Sequence, residues 1–317
     1  MDTKLPAPAA GRPLDARRRR LLLAGALAGL SPALRAGSPA VLIPGPVHVG
    51  ARLLQRVSPT GMPEARPDTF GPMTLFVFPT AVAATPFDLY IVDPGLGALL
   101  RYDPALDAMA PVRGARVSPQ SRIAALPDGS VALANGGALP VQRFARGGRQ
   151  IQTVDPQLGS APYDDIVADP SSGRFYGLDR VQGRLEETMP QGRGGVVLPP
   201  GLLPDLPVAL AMDDRRLYAA GRVCACVEAI DLFGSRSKEV VAEALPQVIA
   251  LAAGGGWLAI NEGSERLLRL YRDGLLRVER HHSDLQLVNP QGMALANGTL
   301  YVADAGARRI ATFRLRP

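Results

Sequence analysis

The apolar residues of this chain fall in short runs separated by turn residues, and the runs recur at a nearly constant interval. Six strand-like runs, from "LYIVD" to "LYVAD", end in a small or polar residue that we call the anchor of its unit: Asp93, Asn135, Asp179, Gly221, Asn261 and Asp304. The intervals between anchors are 42, 44, 42, 40 and 43 residues. Further apolar stretches precede and follow each run, such as "TAVAA" and "QGMALA". A unit of this length with four short strands is typical of a β-propeller blade.

The six units predict an all-β fold, a six-bladed β-propeller over residues 41–317. Closing the ring leaves no free sheet edge except at the join. The sixth unit ends at Pro317, directly after its third strand, so its fourth strand must come from elsewhere in the chain. The segment "ARLLQRV", residues 51–57, is strand-like and precedes the first complete unit. The sequence therefore predicts that this N-terminal strand completes the last blade and closes the ring.

The last unit, "NPQGMALANGTLYVADAGARRIATF", resembles an NHL repeat. The shared pattern is Pro-x-Gly, an apolar strand, a turn, "LYVAD", and then Gly and Arg before a strand that ends in an aromatic residue. "FPTAVAATPFDLYIVDPGLGALLRY" matches this pattern as well, the four middle units match it loosely, and the resemblance covers residues 75–315. It implies the propeller fold. It does not imply one function, because NHL propellers include binding scaffolds as well as lyases and hydrolases.

The N-terminal stretch "ARRRRLLLAGALAGLSPALRAGSPA" has the layout of a secretory signal peptide: a basic cluster, an apolar run and then small residues. The run is too short and too rich in Gly and Ala for a permanent membrane anchor. Arg18 and Arg19 stand in a pattern that resembles the twin-arginine export signal. We expect residues 1–36 to be such a signal, cleaved after Ala36 or Ala40, and the mature protein to be periplasmic or secreted. The alternative is an uncleaved N-terminal anchor.

The positive charge of the chain belongs mainly to this N-terminal segment. Residues 1–36 hold seven of the 35 basic and two of the 29 acidic residues. Without them 28 basic and 27 acidic residues remain, and the net charge falls from +6 to +1. The charge therefore gives no support to nucleic-acid binding, and we expect no nucleic-acid partner.

Cys224 and Cys226 are the two cysteines of the chain. In a strand, side chains two residues apart point to the same face, and their Cα atoms lie roughly 6.5–7 Å apart, near the upper limit for a disulfide. Their spacing is not that of a zinc site. We expect two buried small residues, with a strained disulfide as the alternative.

The entrance of the central channel is the predicted ligand site. In a propeller, residues at the start of the inner strands line this entrance. Alignment of the units places Thr80, Arg122, Asp164 and Gln291 there, with Asp165 adjacent. Arginine, carboxylate and amide groups together suit a small polar ligand or a peptide. The alternative is a polar channel filled with water.

The anchors lie on the same face of the predicted propeller as this entrance. Asp and Asn at strand ends bond their own turn, and an arginine follows the anchor by five residues in three units: Arg184, Arg266 and Arg309. We expect an anchor–arginine clasp that stabilises each of these turns, with a ligand-binding rim as the alternative. Residues 58–74 form a long connection on this face, which we expect to be a surface loop, with a lid as the alternative.

The sequence does not supply the set of ligand residues that a metal site in a propeller channel requires. Six-bladed lactonases that resemble regucalcin and gluconolactonase hold a divalent cation with Glu, Asn and Asp at the inner-strand starts. The resemblance requires a Glu where Thr80 stands, and an acidic residue or Asn where Gln291 stands, so only Asp164 fits. Amidating lyases with an NHL-type propeller use a zinc site built from histidines. The three histidines here, at 48, 281 and 282, are expected to be exposed loop residues.

The sequence holds no motif for nucleophilic, phosphate-binding or zinc-protease chemistry. It therefore predicts no catalytic set, no metal and no cofactor. We expect an exported, monomeric propeller without a stable membrane anchor, whose channel face binds a protein, a peptide or an envelope component. The alternative is a metal-dependent hydrolase or lyase with an atypical site in the central channel.

Overall fold

The computed structural model describes residues 41–53, 73–136, 141–153, 163–189, 192–214, 216–232 and 234–316. They belong to one unit of the chain, residues 39–317. The other unit, residues 1–38, lies outside the described residues, as do the expected signal peptide and nearly all of the connection 58–74. The described residues form 26 β-strands and no helix. None of them therefore belongs to a helix of the length and apolar character that a membrane crossing requires.

Six four-stranded blades surround a central channel, as the sequence predicted. Three strands precede the first blade: β1 (Val41–Pro44), β2 (Gly50–Leu53) and β3 (Met73–Leu75). The first blade contains β4 (Ala81–Ala84), β5 (Leu89–Asp93), β6 (Ala98–Asp103) and β7 (Ala108–Pro111). The second contains β8 (Arg122–Ala125), β9 (Val131–Ala134), β10 (Gln142–Phe144) and β11 (Gln150–Thr153). The third contains β12 (Asp165–Asp169), β13 (Arg174–Asp179), β14 (Arg184–Met189) and β15 (Gly192–Leu198).

The remaining blades follow in chain order. The fourth contains β16 (Pro207–Asp213), β17 (Arg216–Gly221), β18 (Cys226–Asp231) and β19 (Lys238–Ala242). The fifth contains β20 (Val248–Gly254), β21 (Trp257–Glu262), β22 (Leu267–Arg272) and β23 (Leu275–His281). The sixth contains β24 (Pro290–Ala296), β25 (Thr299–Asp304) and β26 (Arg309–Arg316), with β1 as its outer strand.

Each blade runs from an inner strand beside the channel to an outer strand, and consecutive strands are antiparallel. The loop from the second to the third strand and the connection from one blade to the next therefore open on one face. We call it the channel face, and the other the opposite face. Two-residue turns on the opposite face join the first and second strands of the last two blades. Gly255 and Gly256 (φ 61° and 78°), and Asn297 and Gly298 (φ 50° and 67°), supply the left-handed conformations of these hairpins.

The hydrophobic core lies between the blades. Each of six buried clusters joins one blade to its neighbour around the ring. Trp257 and Leu270 of the fifth blade, for example, pack with Met293 and Phe313 of the sixth. Since both faces of each sheet are covered by neighbouring sheets, the strands read as nearly continuous apolar runs, which explains why the repeat is visible in the sequence.

The ring is closed by an N-terminal strand, but not by the predicted one. β1 pairs antiparallel with β26, from Val41 opposite Arg316 to Pro44 opposite Phe313. The pairing continues through the Gly45 amide, which donates to the Thr312 carbonyl at 2.8 Å. The assignment of residues 51–57 to this position was wrong. Gly50–Leu53 pairs instead with β3 and, in parallel, with β7, so this segment extends the first blade to six strands.

The alignment of the anchors is correct except for one residue in the fifth blade. In the sixth blade the anchor Asp304 lies opposite Pro290, and the corresponding pair in the fifth blade is Glu262 with Val248. The structural anchor is therefore Glu262, not Asn261. Counted from Glu262, the apolar position six residues later is Leu268, which is 1% exposed. Counted from Asn261, it would be the half-buried Leu267.

At the inner-strand starts Arg122 was aligned with Asp164, but it is equivalent to Asp165. This equivalence follows because Arg122 pairs with Ala134 and Asp165 pairs with Leu178.

The expectation for the cysteines was also wrong, because Cys224 and Cys226 form a disulfide. Cys224 does not lie in a strand but in the turn between β17 and β18, where Ala225 has a left-handed φ of 48°. The turn brings the two Cα atoms to 5.1 Å, well inside disulfide range.

Candidate ligand site at the channel mouth

The central channel is narrow because small residues occupy the inner strands. A cavity of about 120 Å³ runs between the middles of all six inner strands, and its lining includes Ala83, Ala124, Ala211, Ala252 and Ala294. The lining side chains are aliphatic or methionine. The middle of the channel therefore offers no acid, base or metal-binding group among the described lining residues.

Polar side chains gather where the channel opens on the channel face. A second cavity of about 60 Å³ lies between the starts of the inner strands, and Arg122, Asp165 and Gln291 line it. Gln291 and Ile249 enter this lining because each is the extra residue of a β-bulge in its inner strand. A bulge re-aims side chains locally, which explains why alternation along the strand does not predict their direction. Three of the five predicted ligand residues thus meet at one cavity.

Asp165 is the buried charged group of this mouth. Its carboxylate accepts a hydrogen bond from the Leu210 amide of the next blade at 2.9 Å, and another from its own neighbour Ile166 at 2.9 Å. Burial raises the pKa of Asp165, and the nearby charge of Arg122 acts in the opposite direction. Asp165 therefore ties two blades together beside the arginine.

The other two predicted residues lie outside this cavity lining. Asp164 accepts the Arg180 amide at 3.1 Å and lies 3.9 Å from the Arg180 guanidinium, which itself donates to the Pro207 carbonyl at 2.9 Å. Asp164 therefore supports an arginine that bridges the third and fourth blades. Thr80 is 4% exposed, and its hydroxyl has no hydrogen-bond partner among the described residues.

The aspartate anchors of the first and sixth blades bond the backbone, as expected. Asp93 accepts amide hydrogens from Val77 at 2.8 Å and Phe78 at 2.9 Å, both in the segment that leads into the inner strand, and from Leu96 of its own turn. Asp304 makes the same set of contacts with Val288, Asn289 and Ala307. These two anchors thus fix the channel-face loops against the inner strands.

The expected arginine clasps occur in two of three units. Arg184 lies 3.6 Å from Asp179, and Arg309 lies 3.5 Å from Asp304. Arg266 instead donates to the Val288 carbonyl, since the true anchor Glu262 is one residue closer to it in sequence. Glu262 accepts hydrogen bonds from the amides of Ser264 and Glu265.

The histidines do not converge on the channel. His48 pairs with Ile310 at the ring closure and stacks against Tyr102 at 4.8 Å. His281 is exposed, but His282 is 2% exposed, so the expectation of an exposed loop residue was wrong for His282. Within the described ranges, no three His, Cys, Asp or Glu side chains lie close enough together to hold a metal ion.

His282 gives the protein a pH-dependent stability. Burial lowers its pKa, a hydrogen bond to the Leu267 backbone opposes this, and the charges of Arg266 and His281 add to the lowering. The unfolded chain therefore binds the proton at higher pH than the folded protein does, and the free energy of unfolding falls as the pH drops below about 6.5. Urea midpoints at about pH 7.5 and pH 5 measure the slope.

We expect His282→Gln to reduce this slope strongly, and His281→Gln, which removes only a neighbouring charge, to reduce it less. Part of the slope remains in His282→Gln, because burial also lowers the pKa of His48. Equal slopes in the wild type and His282→Gln would contradict the assignment.

Seven exposed large apolar side chains lie in loops of the channel face, which sequence reasoning missed, and others lie on the opposite face and on outer strands. Val181 is 90% exposed and Val223 is 65% exposed, each in a loop between the second and third strands of its blade. The remaining members lie in equivalent loops or blade connections: Val77, Phe78, Leu96, Leu206 and Val288. The sequence signal for these residues is an apolar residue shortly after an anchor or shortly before an inner strand. A turn at these positions does not require an apolar side chain.

No protein-family profile matches the chain, and no curated protein matches it. Solved structures resemble it in fold. A streptogramin B lyase is 11% identical, with a TM-score of 0.52 over 76% of this chain and 94% of that one. A catalytically inactive virginiamycin B lyase variant from Staphylococcus aureus with quinupristin is 13% identical, with a TM-score of 0.55 over 87% and 99%. A chain of a nidogen–laminin complex is 16% identical, with a TM-score of 0.52 over 69% and 93%. At these identities the similarity establishes the propeller fold alone.

Proposed function

We propose that this protein is an exported NHL-type propeller whose channel face binds a protein, a peptide or a component of the cell envelope. The observation that carries the proposal is the set of seven exposed apolar side chains on the channel face, from four of the six blades, beside a polar channel mouth. Large exposed apolar side chains on one face are typical of interaction surfaces. The arginine, carboxylate and amide at the mouth add polar recognition at the centre of that surface.

The chemistry of the mouth favours binding over metal-dependent turnover. A hard cation needs several oxygen ligands, and the mouth supplies few. Arg122 is itself a cation, the buried Asp165 already accepts two backbone amides, and Gln291 offers one neutral oxygen. The nidogen–laminin structure is an example of this fold in a protein complex, whereas the lyase structures are examples in enzymes. Stoichiometric Ca²⁺ or Zn²⁺ in the purified protein, lost on changing Asp164 or His281, would replace the binding proposal with the hydrolase or lyase alternative.

The test compares variants on the two faces of the full chain. The double variant Val181→Glu, Val288→Glu places charges on exposed positions of the third and sixth blades. Leu275→Glu is the matched control, because Leu275 is also exposed, at 57%, but lies on the opposite face. We expect affinity capture from envelope extracts to recover a partner with wild type and Leu275→Glu, and at least about tenfold less with the double variant.

Arg122→Gln is expected to weaken the same interaction by about fivefold, since it removes the cation of the channel mouth. A partner recovered equally by all variants, or no partner from any extract, contradicts the proposal. The same experiment checks export. We expect the protein in the envelope fraction to lack 36 or 40 N-terminal residues, whereas a full-length cytosolic protein would contradict that part.

A further inference from the structure

The disulfide of the fourth blade joins an exposed cysteine to a buried one at the channel face. Cys224 is exposed in the loop between β17 and β18, whereas Cys226, the first residue of β18, is 3% exposed. The bond closes a loop of only three residues, and so short a loop removes little entropy from the unfolded chain. Its contribution to stability is correspondingly small.

The loop forms without a disulfide in other blades. The residue four positions after the anchor is left-handed in blades one, three, four, five and six: Gly97 (φ 64°), Gly183 (60°), Ala225 (48°), Arg266 (57°) and Arg308 (54°). Residues three and five positions after the anchor are cysteines in the fourth blade alone. The fold therefore sets the turn that brings the two sulfurs together, and the bond is not needed to make it.

An arginine stands close to the exposed cysteine in the chain. Arg222 is exposed and lies two residues before Cys224, in the loop between β17 and β18. The Cys224 Sγ packs over Gly221, where a Cβ would lie 2.8 Å from it. A thiol with acidic groups that attacks Cys224 therefore meets the positive charge of Arg222 in the same loop.

We propose that Cys224–Cys226 is an exchangeable disulfide that reacts with small acidic thiols such as glutathione. A thiolate attacks the Sγ of the exposed Cys224, a new sulfur–sulfur bond forms, and the Cys226 sulfur leaves as a thiolate that takes up a proton. A second thiol then attacks the sulfur of the bound ligand. This step releases the oxidised ligand disulfide and leaves both cysteines as thiols. The ligand thiols supply the two electrons.

The first experiment measures exchange in the folded full chain. The oxidised protein is incubated with reduced glutathione in native buffer, quenched with iodoacetamide at intervals and weighed by intact mass spectrometry. Since the chain has two cysteines, each mass identifies one state. We expect glutathionylated and doubly alkylated protein while the fluorescence of the single tryptophan, Trp257, stays native. Alkylation that requires denaturant would overturn the proposal.

Single variants separate the exposed cysteine from the buried one. Cys226→Ser leaves the exposed Cys224 free, and Cys224→Ser leaves the buried Cys226 free. We expect the first to form a mixed disulfide with oxidised glutathione at least about tenfold faster than the second, because access and thiolate formation govern the rate. Equal rates would overturn the assignment of Cys224 as the attacked sulfur.

Arg222→Glu tests the preference for acidic thiols, with Arg216→Glu, an exposed arginine on the opposite face, as the matched control. The readout is the ratio of exchange rates with glutathione and with the cationic thiol cysteamine. We expect Arg222→Glu to lower this ratio at least about threefold, and Arg216→Glu to leave it unchanged. An unchanged ratio in Arg222→Glu would overturn the acidic-thiol preference. Loss of partner capture in the channel-face variants bears on the proposed function and leaves this exchange intact.

Discussion

A chain that begins at residue 47 is expected to unfold at a temperature roughly 10 °C below that of a chain that begins at residue 41. The shorter chain lacks β1 and its continuation, which form the outer strand of the sixth blade. The loss comprises the ladder between β1 and β26, the Gly45–Thr312 bond at 2.8 Å, and the bond from the Thr312 hydroxyl to the Pro46 carbonyl at 2.6 Å.

The expected size follows from these contacts. Each net hydrogen bond contributes about 1 kcal/mol, and the half-buried Leu42 contributes about 1 kcal/mol more, so the free energy of unfolding falls by about 4–5 kcal/mol. The truncation also leaves β26 as an unpaired edge, which favours association between copies. Calorimetry and size-exclusion chromatography check both effects. If the two chains melt within about 2 °C of each other, β1 does not hold the ring closed.

Gly292→Ala is expected to destabilise the protein by at least about 3 kcal/mol. Gly292 lies in the inner strand of the last blade, where it meets the first blade. A Cβ there would lie 2.6 Å from the Thr80 carbonyl oxygen and 2.7 Å from the Ala81 Cα. Both are backbone atoms, so no rotamer change relieves the overlap and the two blades must move apart at the channel mouth.

Gly195→Ala is the matched control for this substitution. Gly195 also lies in a strand, but a Cβ there would meet no atom within 4 Å, and its φ is not in the left-handed region. We expect this change to alter the free energy of unfolding by less than about 1 kcal/mol. Urea denaturation measures both variants. Similar small losses in the two would show that the blades can separate at Gly292 without cost.

The fold could be predicted because the blades are chemically similar and regularly spaced. The predictions that failed concern strand pairing and turn geometry, which the strand pattern does not determine. Residues 51–57 have the strand pattern of a closing strand, but the pattern does not state which edge the strand joins, and β1 takes that place. The disulfide was missed because the two cysteines were treated as strand residues, whereas Ala225 turns the chain between them.

The residues of the channel mouth could be predicted where alignment of the blades alone determined which residues start the inner strands. It placed Arg122 and Gln291 at the channel mouth, and it named Asp165 only as the neighbour of the aligned Asp164. It did not tell Asp165 from Asp164, which faces the Arg180 bridge, because the register that pairs Asp165 with Leu178 is set by the hairpin between β12 and β13 and not by the sequence pattern. The exposed apolar side chains of the channel face were missed although apolar residues in turns were a visible signal, since their exposure depends on how the loops of six blades assemble.

The join between β1 and β26 sets the order of events when the protein is made. The Thr312 hydroxyl and the Pro46 carbonyl that it contacts are 266 residues apart, so the ribosome has synthesised nearly the whole polypeptide before they can meet. Five blades can assemble from neighbouring segments during synthesis, but the sixth must wait for the carboxyl terminus. A nascent or prematurely terminated chain therefore stays an open arc with two unpaired sheet edges. Such edges are bound by chaperones and recognised by quality-control proteases.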